Sequence, residues 1–120
     1  MVAFTVETEE LAGFGTWKIR RDVLLADQEE PASVIDVPFF GLDQRFHGEV
    51  DHEGRKLAGR LFATIEAVAR MSPDVGDDMP MHLVCDVRND RGLAFWRGRG
   101  FQDVEQLHFP EVSYIRMLRS

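Results

Sequence analysis

Asp36 is the side chain of this chain whose type and surroundings best suit proton transfer. It is the only charged residue between Ser33 and Leu42, where the other residues are apolar or small. Burying a carboxylate without a partner is costly, and burial favours its protonated form, so a buried Asp36 would accept a proton near neutral pH. A second interpretation stays open: Asp36 is solvated, or bound to a loop N–H, near the start of a strand.

A glycine-containing loop that enters a helix could bind phosphate. Backbone N–H groups at a helix start, beside the positive end of the helix dipole, suit a pyrophosphate. The stretch 49–53 inserts three carboxylates into this loop, and nearby cationic side chains partly compensate for them. An ordinary glycine-bearing turn before a helix is the competing interpretation. The candidate phosphate-binding residues are Arg45, His47, Gly48, Gly54, Arg55, Lys56, Leu57, Ala58 and Gly59.

The cysteine and histidines do not form a recognisable catalytic or metal pattern. Cys85 is the one cysteine, which excludes an internal disulfide. It lies among apolar neighbours in a predicted strand, where cysteine is usually an inert core residue. The four histidines show no metal-ligand spacing, and Cys85 completes none, so no metal site is expected. These histidines are His47, His52, His82 and His108.

Hydrophobic periodicity predicts the order β-β-β-α-β-α-β-β in a mixed α/β sheet. The run from Ser33 to Leu42 is nearly all apolar, which predicts a central strand covered on both faces. Pro38 within it cannot donate to a ladder, so it predicts a bulge or a parting of neighbouring strands, or else an edge strand. The predicted strands are Met1 to Val6, Gly13 to Arg20, Ser33 to Leu42, Met81 to Val87, Phe101 to Glu105 and Val112 to Leu118, and the predicted helices are Leu57 to Arg70 and Gly92 to Gly98.

Composition predicts one soluble domain over residues 1–120. Apolar content of 44% and charged content of 29% are ordinary for a globular protein. No apolar run is long enough to span a membrane, and no secretory signal opens the chain. A net charge of −7 argues against a nucleic-acid partner. The acidity favours a cationic acceptor such as an amine, or only reflects solubility, and the lone cysteine suits a reducing cytoplasm.

The segment from Leu83 to Phe101 carries a family resemblance. It combines a buried strand, an asparagine at the turn, a short aromatic helix and a Gly-Phe pair that opens another strand. This order resembles the strand-Asn-x-x-x-Ala-x-x-Phe-Tyr-x-x-x-Gly-Phe signature of the GNAT N-acetyltransferases, with different spacing and with Trp96 in place of Tyr. Arg45-Phe46-His47-Gly48 and Leu57-Ala58 are similar to the family's phosphate loop. The resemblance covers about residues 13 to 118.

The resemblance implies a mixed, mostly antiparallel sheet of about six strands with a splayed central pair and two helices. Family members usually begin with a strand and two helices that form much of the acceptor-binding wall. This chain is expected to lack them, and the sheet edge left exposed would favour a homodimer.

The resemblance also implies acetyl-CoA-dependent transfer of an acyl group to the primary amine of a small molecule or peptide. Asp36, or a water that it orients, would be the general base. Backbone groups of Phe40, Gly41 and Leu42 would hold the thioester, and Asn89 would hold the pantetheine arm or a nearby water. A turn Asn that caps the next helix competes with that role for Asn89.

Trp96 leaves the proton donor for the leaving thiolate open, because an indole cannot act as a general acid at neutral pH. Tyr114 would serve from the final strand, or solvent would, or the thiolate would leave unprotonated. Phe95 and Trp96 would be core residues or the wall of the CoA pocket. The alternative function is a CoA-binding or interaction module without turnover.

Overall fold

The computed structural model of the protein describes residues 2–5, 11–24, 28–42, 47–48, 54 and 56–120. The order of strands and helices predicted from the sequence is confirmed in these residues. The elements are β1 Val2–Thr5, β2 Leu11–Val23, β3 Ala32–Leu42, α1 Leu57–Arg70, β4 Met81–Asp86, α2 Asp90–Gly98, β5 Gln102–His108 and β6 Ser113–Arg119.

The described strands form one six-stranded sheet in the order β1-β2-β3-β4-β6-β5. The pairs β1/β2, β4/β6 and β5/β6 are antiparallel, whereas β3/β4 is parallel. The predicted fold class, a mixed and mostly antiparallel sheet with two helices, is therefore confirmed.

β3 lies between β2 and β4, so the edge-strand interpretation of Pro38 is wrong. The parallel register of β3 with β4 places Ile35 opposite Met81 and Asp36 opposite His82. In the described part of the chain the register ends there, two residues before Pro38. The missing N–H of the proline therefore removes no hydrogen bond from this register, in agreement with the predicted parting of neighbours.

The chain divides into two compact units, and the first comprises Met1–Lys18 and Val37–Asp77. Its core forms on one face of α1, where three buried residues recur at every fourth position, as an amphipathic helix requires. Phe40 and Leu42 of β3 and Val2 and Trp17 of β1 and β2 pack against that face. The buried helix residues of this cluster are Leu57, Leu61 and Ile65.

The second unit comprises Ile19–Asp36 and Asp78–Ser120. Val23 of β2 and Val34 of β3 form a buried cluster that Leu118 of β6 packs against. β2 extends to Val23 rather than ending at Arg20 as predicted, because Val23 has this buried site while its charged neighbours face solvent. The other buried apolar residues of this unit include Met81, Leu83, Cys85, Leu93, Trp96, Phe101 and Met117.

Candidate functional site

The start of α1 has the features expected of an anion-binding helix end. Lys56 is the N-cap residue, is exposed, and makes no side-chain capping bond, and the first turn contains no acidic residue. The first N–H groups of a helix have no partner within it, so Leu57, Ala58 and Gly59 offer backbone donors beside a cation. Of the other predicted phosphate-binding residues, Arg45 and Arg55 lie outside the described residues.

The end of β3 and the start of α1 meet within the first unit. Phe40 and Leu42 pack against the cluster that contains Leu57, the first residue of α1. His47 Nε2 donates a hydrogen bond of 2.8 Å to the Leu42 carbonyl oxygen. The structure therefore brings together three parts of the predicted cofactor site: the strand end, the turn at His47 and Gly48, and the helix start.

Asp36 is buried, with 6% of its surface exposed, so the interpretation of a solvated carboxylate is wrong. Its Oδ1 is hydrogen-bonded at 2.8 Å to Nδ1 of His82, the residue opposite it in the β3/β4 register. His82 is itself only 1% exposed. Sequence reasoning considered His82 only as a metal ligand and missed this partnership.

The second ring nitrogen of His82 has no hydrogen-bond partner among the described residues. Nε2 is buried and makes no hydrogen bond within the part of the chain that the structure describes. Buried polar atoms are nearly always hydrogen-bonded in folded proteins. The arrangement therefore presents a carboxylate-bound imidazole with one free nitrogen.

Asn89 is the N-cap residue of α2. Its side-chain oxygen accepts a hydrogen bond of 2.9 Å from the Gly92 backbone N–H. The helix-cap interpretation of Asn89 is therefore confirmed, and the capped helix begins at Asp90, two residues earlier than predicted. Asn89 as a whole is exposed.

Trp96 is a core residue of the second unit, 7% exposed. Its ring meets Phe101 edge to face at a centroid distance of 5.4 Å and Phe95 at 4.9 Å. The Arg99 guanidinium carbon lies 5.2 Å from the Phe95 ring centroid, a cation–π distance. The residue at the place of the family's tyrosine is thus packed among aromatic side chains.

Tyr114 lies on β6 opposite Asp86 of β4. Its ring meets Phe109 edge to face at 6.0 Å. Arg88 donates to the Asp86 carboxylate from its side chain, at 3.1 and 2.8 Å, and from its backbone N–H at 2.8 Å. These bonds, those of the side chain first, lower the pKa of Asp86 to about 2. Asp86 is therefore a carboxylate already paired with a cation.

Cys85 and metal ligands contribute no reactive centre in the described residues. Burial raises the pKa of the Cys85 thiol, and the nearby Asp86 charge raises it further. A thiol with a raised pKa is a poor nucleophile at neutral pH. No three His, Cys, Asp or Glu side chains cluster as metal ligands within the described ranges.

The two helices of the described chain are also short. Neither has the length and apolar character needed to cross a membrane.

Comparison with known proteins identifies the fold. No known family model and no curated protein sequence matches the chain. Arabidopsis thaliana Naa50 in complex with the bisubstrate analogue CoA-Ac-MVNAL is similar in structure, with a TM-score of 0.63 and 10% identity, over 93% of this chain and 67% of that one. A Bordetella pertussis protein assigned to the GNAT-family acetyltransferases gives 0.60 and 14%, over 94% of this chain and 59% of that one. The chain therefore has the GNAT acetyltransferase fold.

Proposed function

We propose that this chain, which has the GNAT acetyltransferase fold, is an N-acyltransferase that moves the acetyl group of acetyl-CoA directly to a primary amine. The observation that carries the proposal is the structural similarity to Naa50, whose structure contains an analogue that joins CoA to a peptide. The chain spans 67% and 59% of the two proteins it resembles, so its activity and acceptor belong to the proposal.

The start of α1 would bind the pyrophosphate of CoA. Lys56 supplies a positive charge, and the absence of an acidic residue from the first turn avoids repulsion of the anion. Arg45, Gly48, Gly54 and Arg55 are proposed to extend this site. Their backbone and guanidinium groups are of the kind that hold phosphate oxygens.

The backbone of Phe40, Gly41 and Leu42 would hold the acyl-CoA arm. The Leu42 carbonyl already accepts a bond from His47, which fixes the end of β3 and leaves the remaining peptide groups of this stretch as candidates. Phe40 and Leu42 are anchored by packing on α1. Asn89, Phe95 and Trp96 are also proposed to contribute to CoA binding.

Direct transfer needs no covalent enzyme intermediate. The amine nitrogen attacks the thioester carbonyl carbon, the C–N bond forms, and the C–S bond breaks with its electron pair on sulfur. Tyr114 is the proposed donor of a proton to the thiolate, because a buried indole at position 96 cannot serve.

A CoA-binding module without turnover is the second candidate. The observation that favours it is the packing of Trp96, which places an aromatic core residue where the family has a tyrosine. Such a protein would bind CoA through the start of α1 and would not release free CoA from acetyl-CoA with any amine.

Two measurements separate the candidates. Isothermal titration calorimetry with CoA and acetyl-CoA, each up to millimolar concentration, tests binding. Mass spectrometry after incubation with acetyl-CoA and spermidine, kanamycin or a Met-initiated pentapeptide tests transfer. Binding with an acetylated product supports the enzyme, and binding without one supports the module. If neither CoA nor acetyl-CoA binds, both candidates are wrong.

We also propose that the protein works as a homodimer in the cytoplasm. The single cysteine, Cys85, suits a reducing compartment and supports this proposal. Sedimentation equilibrium across a tenfold concentration range checks the dimer, and a monomeric mass throughout would contradict it.

A further inference from the structure

Asp36 and His82 form a buried carboxylate–imidazole pair within the second unit. Nδ1 of His82 and Oδ1 of Asp36 lie 2.8 Å apart, and the side chains are 1% and 9% exposed. With Asp36 taken as the carboxylate, which can only accept, the hydrogen lies on Nδ1. In the neutral imidazole the other nitrogen, Nε2, then holds a lone pair and accepts protons.

Nε2 of His82 is the atom of the pair whose burial requires an explanation. It is buried without a hydrogen-bond partner among the described residues, whereas a packing role alone would be served by an apolar side chain at no such cost. The bond from Nδ1 to Asp36 fixes the orientation of the ring and therefore the direction in which Nε2 points.

The charged groups around His82 do not compete for this role. Side chains two residues apart on a strand share a face, as do those opposite one another in register. On the face that carries His82 and Asp36, Asp86 is paired with Arg88, and Arg116 is paired with Glu105. On β4 and β6, Tyr114, opposite Asp86, is the remaining titratable group of this face. On β2, the exposed Arg21 lies two residues before Val23, which packs on Val34 of the same face. Asp36 is thus the one carboxylate bonded to the imidazole.

The same face reaches solvent close to His82. Val84, the next residue on that face of β4, is 47% exposed. Two residues along a strand correspond to about 7 Å. Solvent therefore lies about two residues from His82 along β4, and a relay of water between Nε2 and a bound amine is part of the proposal.

We propose that His82 Nε2 is the proton acceptor of the transfer reaction and that Asp36 is the positioning residue that orients it. This inference rests on the proposed acyltransferase function and replaces Asp36 as the direct base. The acceptor ammonium gives one proton to Nε2 through the water relay. The neutral amine then attacks the thioester, the C–N bond forms and the C–S bond breaks. Tyr114 donates a proton to the CoA thiolate and takes up the nitrogen's second proton, and His82 returns its proton to solvent.

The variant His82→Asn tests the assignment. The Asn amide nitrogen occupies the place of Nδ1 and still donates to Asp36, while Nε2 is deleted. The expected result is a loss of about 100-fold or more in kcat/KM for the best amine of the panel, with unchanged affinity for CoA. The loss should be greatest at pH values below the pKa of the acceptor amine. There the variant can use only the small fraction of the amine that is already neutral. His108→Asn, which alters an exposed histidine of β5, is the matched control and should keep wild-type kcat/KM.

Asp36→Asn tests the positioning role separately. Its amide donates to Nδ1 and reverses the tautomer, so Nε2 carries the hydrogen and cannot accept a proton. The expected result is again a loss of about 100-fold or more with CoA affinity retained. Nitrogen-15 NMR of the imidazole should show Nε2 unprotonated in the wild-type protein and protonated in this variant.

The possible results distinguish the inference from the proposed function. If the wild type acetylates an amine and His82→Asn does so at the same rate and with the same pH profile, the inference is wrong and the proposed function stands. A protonated Nε2 in the neutral wild-type imidazole also overturns it, and this reading holds even if a variant fails to fold. Binding of CoA without acetylation of any amine overturns both the transferase function and the inference.

Discussion

The side-chain oxygen of Asn89 accepts a hydrogen bond from the backbone N–H of Gly92 and so closes the first turn of α2. Gly92 has no side chain, and this allows the side-chain conformation of Asn89, since a Cβ at position 92 would overlap the asparagine amide group. The two residues therefore act as one capping unit, whatever else Asn89 binds.

Replacing Asn89 should lower stability through the loss of this cap. We expect Asn89→Ala to reduce the free energy of unfolding by about 1 kcal/mol. Asn89→Asp should retain most of it, because a carboxylate at this position accepts the same bond and suits the helix dipole. Denaturant unfolding of the two variants measures the difference. Equal loss in both would show that the cap does not stabilise α2.

Two glycines should respond in opposite directions to alanine. In Gly13→Ala the new Cβ would overlap the Gly41 carbonyl oxygen and lie 3.0 Å from the Leu42 Cα, both backbone atoms of β3. We expect a loss of roughly 1–3 kcal/mol in the free energy of unfolding. Gly98→Ala has nothing within 4 Å of the new atom and should gain about 0.4–1 kcal/mol through the unfolded state. Thermal unfolding checks both, and a destabilised Gly98→Ala would contradict this account.

Asp86 should stabilise the folded state in a defined pH window. Its pKa in the fold is about 2, against an ordinary value of 3.8. A lowered pKa stabilises the fold above the ordinary value, and this contribution is lost as the pH falls from 3.8 towards 2. Arg88→Ala should raise the pKa of Asp86 towards its ordinary value, measured by carbon-13 NMR of the carboxyl group. Arg91→Ala, which changes a neighbouring exposed arginine, should leave it unchanged.

The single thiol reports on unfolding. Cys85 is 6% exposed, and burial raises its pKa. We expect labelling by iodoacetamide at pH 8 to be at least about 100-fold slower in the native protein than in denaturant. Mass spectrometry over time measures both rates. Similar rates would mean that β4 opens readily at this position.

The charge at the start of α1 should control CoA affinity if the proposed function is right. Lys56 is exposed at the N-cap, and Lys56→Glu would replace a favourable charge by a repulsive one. We expect about a tenfold weaker affinity for CoA. Lys18→Glu makes the same charge change at another exposed lysine of the first unit and should leave the affinity within about twofold. Calorimetry that shows an equal loss in both variants would point to net charge rather than to a site.

The sequence predicts some elements well because their burial is periodic. The bounds of α1 are those predicted, Leu57 and Arg70, since the apolar residues follow the helical repeat to both ends. β5 runs to His108 and not only to Glu105. It is the outer strand of the sheet, and its mostly exposed side chains leave little apolar alternation to detect.

The candidate site likewise contains one residue that the sequence identified and one that it did not. Asp36 stood out as one charge in an apolar run, a signal that needs no knowledge of neighbours. His82 did not, because its partner lies 46 residues away in sequence and is identified only once the register of β3 with β4 is known. Pairing between strands depends on contacts that composition and spacing do not encode.

The division into two units also bears on the order in which the protein is made. Every segment of the first unit precedes residue 78, whereas the second unit needs both Ile19–Asp36 and the chain through β6. A ribosome therefore releases β2 and β3 long before the strands that complete the second unit have been synthesised. We expect Asp36 and Val34 to stay exposed to chaperones in the early chain until β4 and β6 emerge.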